Sequence, residues 1–244
     1  MKGLEEFITK DGSISLKSNL FNESFHSHLG ALNETQNKFI NPSNLKRFEN
    51  KSLSVLDICL GLGYNSALLF ANTIKNASHL DWYGLEIDKE PLKFALRNKS
   101  FIDLWDIKVI DILNSFLTKG KFEDRLFQCK IIWGDARDKI RKIPSNLYFD
   151  LIFLDGFSPQ KCPEVWTLEF LKDVKRKLKP NGYLITYSSS AAVRKTFLEI
   201  DLKVFNIKQK NYFNNNWSSG TLAMPNFIKE EVYDNSYIEN LSKM

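Results

Sequence analysis

The stretch LSVLDICLGLGYNSALLFANTIKN, residues 53–76, joins a strand to a helix through a glycine turn. Its first part, residues 53–60, is a mainly apolar run of the kind found in strands that are buried on both faces. Gly61 and Gly63 follow, and without a Cβ they let the backbone turn tightly and approach a ligand. Residues 64–76 have a helical pattern. Such a unit is typical of a parallel sheet whose ligands bind where the strands end.

The same alternation of strands and helices continues downstream. We expect helices behind Pro91, over an insertion at about 100–128, in a lysine-rich stretch that stops at Lys179–Gly182, and over 191–200. Further strands are predicted within 79–88, 129–138, 148–157, 183–190 and 202–208, with a last one after the turn-rich stretch NNNWSSG. This order predicts an α/β fold with a doubly wound, mostly parallel sheet.

The first 50 residues do not follow this alternation, and we expect them to form a small appendage. Residues 9–22 alternate around Asp11-Gly12, which predicts a short hairpin. A helical pattern runs from Ser27 to Ile40 and stops before Asn41-Pro42. Because no repeat or Pro/Gly-rich linker divides the rest, residues 51–244 are predicted to form one domain.

The composition is that of a soluble globular protein, with 43% hydrophobic and 26% charged residues. A cytoplasmic location is expected, because there is neither a signal-peptide pattern nor an apolar run long enough for a membrane span. The net charge of +5 permits a polyanionic partner without requiring one. The basic residues between Lys172 and Lys179 are read as a solvated helix face. The three cysteines are far apart, so neither a metal site nor a disulfide framework is indicated.

Four loops should meet at the carboxyl ends of the strands: Gly61–Asn65, Glu86–Asp88, Asp135–Arg137 and Asp155–Pro159. A nicotinamide fingerprint needs a third glycine, but Ser66 occupies that position. The glycine loop also offers no positive charge to a phosphate. A pyrophosphate-containing ligand is therefore disfavoured.

Two acids at strand ends suggest a nucleoside instead. Glu86 lies 23 residues after Gly63, the spacing at which an acid accepts hydrogen bonds from ribose hydroxyls, although a surface or capping acid would read the same way. Asp135 could accept from the amino group of adenine, with Ala136 leaving room for the ring, or could instead cap the next helix. These acids and the phosphate-free glycine turn together favour S-adenosylmethionine over NAD.

The segment LIFLDGFSPQKCPEVWTLEF, residues 151–170, carries a more specific signal. Its motif FLDGFSP (153–159), followed by Pro163 and Trp166, resembles the family of tRNA (5-methylaminomethyl-2-thiouridine) methyltransferases, the methyltransferase half of the bifunctional MnmC proteins. LITYSSSAAVRKTF is similar as well. The likeness extends from TKDGSISLKSNLFNESFHSHLGALNETQNKFI to SSGTLA, which is most of the chain.

This resemblance implies a class I methyltransferase fold, Rossmann-like with a final antiparallel strand. It also implies methyl transfer from S-adenosylmethionine to the aminomethyl nitrogen of the wobble uridine, in the anticodon region of tRNA. Matching motifs assign the methionine end of the cofactor to Asp57, Gly61, Gly63 and Asn65, the ribose to Glu86, the adenine to Asp135 and the reacting amine to Asp155.

The chain departs from the family pattern in three places. Cys59 stands where the family has the first glycine of G-x-G-x-G. Asn214–Trp217 replaces a Gly/Arg/Lys-rich pattern, which leaves the tRNA contacts of that segment open. No FAD-dependent oxidase sequence follows before Met244, so a stand-alone methyltransferase is expected.

Asp155 is the predicted catalytic residue. An alkylamine with a pKa of about 10.4 is only about one part in 10³ neutral at pH 7. A fixed carboxylate would orient the amine and stabilise the positive charge that appears on nitrogen. Phe157, Pro159 and Trp166 are expected to wall a uridine pocket, although core packing explains Trp166 equally well. Cations for tRNA phosphates are predicted at the pocket mouth, namely Lys161, Arg137, Arg194 and Lys195.

Two alternatives remain open at this stage. An aminopropyltransferase, or a small-molecule amine methyltransferase, would use the same fold, but a polycationic substrate calls for a further acid and the loops show none beside Asp155. A non-catalytic RNA-binding protein is disfavoured because Glu86, Asp135 and Asp155 are all present. The sequence does not indicate an oligomeric state.

Overall fold

A computed structural model describes residues 3–76, 79–208, 219–226 and 236–241. The α-helices are α1 (Ala31–Glu34), α2 (Tyr64–Lys75), α3 (Glu90–Ala95), α4 (Lys99–Ile102), α5 (Ile107–Thr118), α6 (Ala136–Lys139), α7 (Leu168–Lys175) and α8 (Ala191–Glu199). Helix α1 continues as a π-helical turn, Thr35–Ile40, and 3₁₀ turns occur at Leu45–Phe48, Ile140–Lys142 and Pro163–Trp166. The strands are β1 (Leu4–Ile8), β2 (Ile14–Ser18), β3 (Glu23–Ser24), β4 (Ser52–Ile58), β5 (His79–Glu86), β6 (Lys121–Glu123), β7 (Phe127–Trp133), β8 (Phe149–Leu154), β9 (Leu178–Thr186), β10 (Leu202–Ile207), β11 (Thr221–Pro225) and β12 (Ile238–Asn240).

The main sheet has nine strands within the described residues, in the order β12-β10-β11-β9-β8-β4-β5-β7-β6. The pairs β4/β5, β4/β8, β5/β7 and β8/β9 are parallel. Strand β11 lies antiparallel between β9 and β10. The predicted doubly wound sheet with a late antiparallel strand is therefore confirmed. The strand order reverses between β4 and β8, which is where a ligand is expected.

Strand β4 shows why its sequence is nearly all apolar. Leu53 and Val55 point into one buried cluster, with side chains of α2 and α5. Leu56 and Ile58 point into a second cluster, with side chains of α7 and α8. Successive side chains of a strand face opposite sides, so a central strand between two helical layers has to be apolar on both faces.

The N-terminal segment forms a separate three-stranded antiparallel sheet, β1-β2-β3. Its β1–β2 hairpin turns at Asp11-Gly12, as predicted, and the Asp11 carboxylate accepts hydrogen bonds from the Thr9 hydroxyl and from the Ser13 backbone and hydroxyl. The main sheet begins with Ser52. The division of the chain into an appendage of residues 1–50 and a domain of residues 51–244 stays a prediction.

Three boundaries differ from the sequence predictions. The first helix begins at Ala31, not at Ser27, because residues 25–30 form bends and turns and Gly30, with φ +153°, has a non-helical backbone. The insertion at about 100–128 is helical only to Thr118, and a turn at Gly120, with φ +71°, leads into β6. The turn expected at Lys179–Gly182 lies inside β9, where the pairing with β8 shifts register and Pro180 and Asn181 are exposed.

The basic face of α7 is occupied by ion pairs. Lys175 pairs with Asp201, and Arg176 pairs with Asp173. Just beyond the helix, Lys179 pairs with Asp150. The interpretation as a solvated helix face therefore holds. Within the described part of the chain, no helix is both long enough and apolar enough to cross a membrane.

Candidate active site

A cavity of about 820 Å³ opens at the carboxyl ends of β4, β5, β7 and β8. All four predicted loops reach it, through Gly61, Glu86, Asp135 and Asp155. The N-terminal sheet closes the opposite side, with residues between Ser18 and Ser27 in the wall. The volume falls in the range of small-molecule sites. The topology therefore brings together acids from distant parts of the sequence.

The loop after β4 winds through left-handed conformations. Gly61 has φ +56° and Gly63 has φ +91°. A Cβ on Gly63 would lie 3.2 Å from Cδ1 of Leu92, a tight contact that adds to the backbone reason for glycine at this position. Cys59, at the family's first glycine position, has φ +69°, a left-handed conformation that L-residues with a Cβ adopt only at a cost. Gly61 lines the cavity, whereas Gly63 supports the turn from behind.

Glu86 at the end of β5 is held by backbone hydrogen bonds. Its Oε1 accepts from the N–H groups of Ile87 and Asp88 at 2.7 and 2.8 Å, and its Oε2 accepts from Gly61 at 2.9 Å. Burial raises the pKa of Glu86 although these bonds oppose the rise. The carboxylate is thus fixed in the cavity wall, where its remaining lone pairs can accept from hydroxyl groups.

Asp135 performs the capping role that the sequence left open. It is the N-cap of α6, accepting from the backbone N–H of Arg137 at 2.9 Å. The Arg137 guanidinium also donates to both carboxylate oxygens, from Nε to Oδ1 and from Nη2 to Oδ2, and it holds the pKa of Asp135 below its ordinary value. Asp135 and Ala136 both line the cavity. Contact with adenine stays a prediction for these two residues.

Asp155 directly follows β8 and faces the cavity. Its backbone N–H donates to the carbonyl of Ile58 at 3.0 Å, which continues the sheet by one residue. Its Oδ2 accepts from the Asn65 amide at 2.7 Å, and Asn65 in turn accepts from the Thr35 hydroxyl at 2.9 Å. No other described residue donates to the Asp155 side chain. Burial, then the charges of nearby acids, raises its pKa well above the ordinary value.

Besides Gly63, two further residues predicted at the methionine end of the cofactor, Asn65 and Asp57, lie outside the cavity wall. Asn65 belongs to the Thr35–Asn65–Asp155 chain of hydrogen bonds. Asp57 is only 1% exposed, and its Oδ2 accepts from the Ser66 hydroxyl at 2.5 Å. Its Oδ1 has no partner among the described residues. Burial raises the pKa of Asp57 to about 7, with Glu86 adding to the effect.

The sequence analysis missed a buried ion pair in the cavity wall. Lys38 Nζ lies 2.7 Å from Glu34 Oε1, and the two residues are 5% and 8% exposed. The second oxygen of Glu34 accepts from the backbone N–H of Ser27 at 2.8 Å. The signal in the sequence was an acid and a lysine four residues apart, a spacing that is ordinarily read as a surface pair. Only the structure, in which this segment packs over the sheet, shows that the ion pair is buried.

Phe157 lies in an aromatic wall of the cavity, while its contact with a uridine stays a prediction. Its ring stacks on Phe21 at 4.6 Å and meets the edge of Phe25 at 4.9 Å between centroids. Trp166 is 7% exposed and lies behind the loop, where its indole N–H donates to the Phe157 carbonyl at 2.8 Å. The expectation that Trp166 walls the pocket is therefore wrong, and it supports the loop instead. Pro159 is half-buried and does not line the cavity.

The predicted phosphate contacts separate into two groups. Arg137 lines the cavity and is exposed, although it is paired with Asp135. Lys161 and Lys195 are exposed outside the cavity lining. Arg194 is 6% exposed and donates to Thr221, to Asn206 and to the Gly220 carbonyl, so its prediction as a phosphate contact is wrong. The divergent segment Asn214–Trp217 lies outside the described residues.

No cluster of three or more His, Cys, Asp or Glu side chains is arranged to hold a metal ion in the part of the chain that the structure describes. Cys59 and Cys162 line the cavity as free thiols. Burial raises the pKa of Cys59 well above its ordinary value and that of Cys162 to about 11. Both are therefore thiols rather than thiolates at neutral pH.

Comparison with known proteins identifies related sequences. A family model described as S-adenosyl-L-methionine-dependent methyltransferase matches residues 104–216. An uncharacterized protein of Methanocaldococcus jannaschii is 34% identical over 198 residues, which is 78% of this chain and 52% of that protein. The tRNA 5-methylaminomethyl-2-thiouridine biosynthesis bifunctional protein MnmC of Leptospira interrogans is 28% identical over 201 residues, 77% of this chain and 31% of the relative. The chain thus spans about half or less of the length of these relatives.

Solved structures agree with this relationship. The crystal structure of MnmC2 from Aquifex aeolicus superimposes with a TM-score of 0.75 at 29% identity, covering 95% of this chain and 74% of that one. A spermidine synthase matches with a TM-score of 0.59 at 15% identity over 95% of this chain and 73% of that one, which shows a shared fold alone. The predicted class I methyltransferase fold is confirmed. These matches confirm that the chain resembles the methyltransferase part of the MnmC proteins.

Proposed function

We propose that the protein transfers a methyl group from S-adenosylmethionine to the aminomethyl nitrogen of the wobble uridine in tRNA. One observation carries this proposal: Glu86 and Asp155, which are suited to a ribose and to an amine, line the same cavity at the switch point of the sheet. The relatives named MnmC support the choice of tRNA as the substrate. The methylated nucleoside and its place in the anticodon belong to the proposal.

The residues at the strand ends suit the cofactor. Glu86, fixed by three backbone N–H groups, would accept from the ribose hydroxyls. Asp135 would accept from the adenine amino group beside Ala136, and Gly61 would let the backbone approach the methionine end. Asp57 and Gly63 would not contact the cofactor, because neither lines the cavity, but would hold the glycine turn after β4 in place. S-adenosylmethionine would supply an electrophilic methyl group on a sulfonium.

Asp155 would receive and orient the attacking amine. Asn65 occupies its Oδ2, which leaves Oδ1 to accept an N–H of the substrate. The raised pKa of Asp155 makes it a stronger base than an ordinary aspartate, so once the neutral amine has taken the methyl group, the carboxylate can accept the proton that the new secondary ammonium gives up. As positive charge develops on the nitrogen, the nearby carboxylate stabilises the transition state more than the ground state.

The uridine would lie against the aromatic wall of Phe157 and Phe21. A base has to leave the anticodon stack to reach a cavity of this depth. Exposed Lys161 and Lys195 outside the cavity, together with Arg137, would meet phosphates, and binding should weaken as salt rises. A cytoplasmic location follows from this substrate.

Methyl-labelled S-adenosylmethionine tests the proposal directly. Purified protein is mixed with tRNA that carries aminomethyluridine and, in parallel, with the same tRNA lacking the aminomethyl group. We expect label in the wobble nucleoside of the first tRNA alone, as identified by nucleoside mass spectrometry. Label in protein, in polyamines or in both tRNAs would reject the assignment, and so would the absence of labelling by protein that binds the cofactor.

A further inference from the structure

The Lys38–Glu34 ion pair lies within the cavity wall and not on the protein surface. Both residues line the cavity, yet each is less than 9% exposed. The two oxygens of Glu34 are both engaged, one by Lys38 at 2.7 Å and the other by the Ser27 N–H at 2.8 Å. The Lys38 ammonium also lies 5.7 Å from the ring centre of Tyr187. The chain thus neutralises this acid with a cation of its own.

The pair is electrostatically coupled to Asp155. After burial, the charge of Glu34 is the largest cause of the raised pKa of Asp155, whereas the charge of Lys38 acts in the opposite direction. Burial alone would raise the pKa of Glu34 too, but Lys38 and the Ser27 N–H lower it, so Glu34 is ionised. Two carboxyl groups and one internal ammonium therefore share this end of the cavity.

A third acid near Asp155 is also occupied. Glu23 accepts from the backbone N–H and the hydroxyl of Ser158, at 3.1 and 2.6 Å for the nearest pairs. With Glu34 held by Lys38, the carboxylate left with an unoccupied oxygen beside the aromatic wall is that of Asp155. Among the described residues, the further acid that a polycationic substrate would need is therefore present as Glu34, but Lys38 is already its counter-ion.

Small diamines present the same nucleophile as an aminomethyl group, a primary alkylamine. They differ in carrying a second ammonium a few bonds away. A buried carboxylate without a partner is costly, so an unpaired Glu34 next to Asp155 would bind that second ammonium strongly. Beside the aromatic wall, where Asp155 is the described carboxylate with an unoccupied oxygen, the second ammonium would lose its hydration without gaining a counter-ion.

We propose that Lys38 is a specificity-determining residue: by neutralising Glu34 from within the chain, it leaves one carboxylate for one amino group, so that the pocket excludes diamines and polyamines. This inference rests on the proposed function, because it assumes an amine substrate at Asp155. Stability alone does not explain the pair, since buried ion pairs add little net stability compared with apolar side chains of similar size.

Calorimetric titration with 1,4-diaminobutane tests the inference without tRNA. The protein is first saturated with S-adenosylhomocysteine, and wild type, Lys38→Met and the double variant Lys38→Met/Glu34→Gln are compared. We expect at least tenfold tighter diamine binding in Lys38→Met than in wild type, and a return to the weak wild-type level in the double variant. Equal binding by wild type and Lys38→Met, or tight binding by the double variant, would overturn the inference.

A second measurement covers the case in which Lys38→Met does not fold, as judged by circular dichroism. Methyl transfer by the wild-type protein is assayed with millimolar 1,4-diaminobutane and with salt of matched ionic strength. We expect the same rate of methyl transfer with the diamine as with the matched salt, and inhibition by the diamine alone would overturn the inference. Failure of the proposed function is distinguishable, because it would appear as a lack of tRNA methylation while the diamine binding pattern of the variants is unchanged.

Discussion

Replacement of Asp57 by asparagine should change how stability depends on pH. The carboxyl group is 1% exposed, and burial raises its pKa from 3.8 to about 7. A group with a higher pKa in the folded than in the unfolded chain binds its proton more tightly after folding. Its contribution to stability is therefore complete below a pH of about 4 and is lost as the pH rises through about 7.

The size of this loss follows from the two pKa values. A pKa difference of about 3, at about 1.36 kcal/mol for each pKa unit, amounts to about 4 kcal/mol over the whole range. About 3 kcal/mol of it falls between about pH 5 and about pH 8. The introduced asparagine cannot ionise, while its amide oxygen can still accept from the Ser66 hydroxyl. Asp57→Asn should therefore gain about 3 kcal/mol relative to wild type across that interval.

Urea unfolding of cofactor-free protein, followed by tryptophan fluorescence from about pH 5 to about pH 8, measures this difference. Acids that do not interact with Asp57 contribute equally in both proteins and cancel, whereas Glu86 and Asp155 are coupled to Asp57, so the loss of its charge also lowers their pKa values. Ser66→Ala is the matched control: without the hydroxyl that stabilises the ionised form, the loss should extend to higher pH. A difference in unfolding free energy that stays constant with pH would refute the reasoning.

Three further outcomes are expected. Asp155→Asn should keep cofactor affinity within a few-fold, measured by calorimetry, and lower kcat by roughly 10²–10⁴, because it removes a positioned acid–base group. Thr35→Val should lower kcat by about tenfold at unchanged cofactor affinity, because Asn65 is then free to turn its amide away from Asp155. An unchanged kcat would show that the hydrogen bond from Thr35 to Asn65 does not help to position Asp155. Arg194→Met should destabilise the fold by about 3 kcal/mol in urea unfolding and leave the salt dependence of tRNA binding unaltered, because the guanidinium satisfies buried acceptors such as Asn206. A change in that salt dependence would restore Arg194 as a phosphate contact.

The acids at the strand ends were predictable from sequence because their placement follows from local patterns. A buried apolar run that stops at a carboxylate, as before Asp155, predicts both a strand and the edge of the sheet at which the carboxylate lies. Parallel connection then brings such edges together. Glu86 and Asp155 therefore needed no tertiary information to be assigned to one site.

The roles of residues whose side-chain direction depends on packing were not predictable in this way. Loop order placed Arg194 near the cavity, but the turn of α8 directs its side chain to β10 and β11. The spacing of the motif does not show whether a side chain lines the cavity or packs behind the lining residues. Trp166 packs behind them. The role of Glu34 was not predictable because its burial in the cavity wall does not follow from its local spacing to Lys38.

The π-helical turn Thr35–Ile40 has one more consequence. Its wider winding, seen in the hydrogen bond from the Asn41 N–H to the Gln36 carbonyl, takes up one residue more than a regular helix over the same rise. Deleting one residue here would restore regular α-helical winding over the same rise and leave the two flanks in nearly the same relative orientation, but the side chains within the turn would face different neighbours. A variant shortened by one residue should thus retain its melting temperature more readily than its turnover.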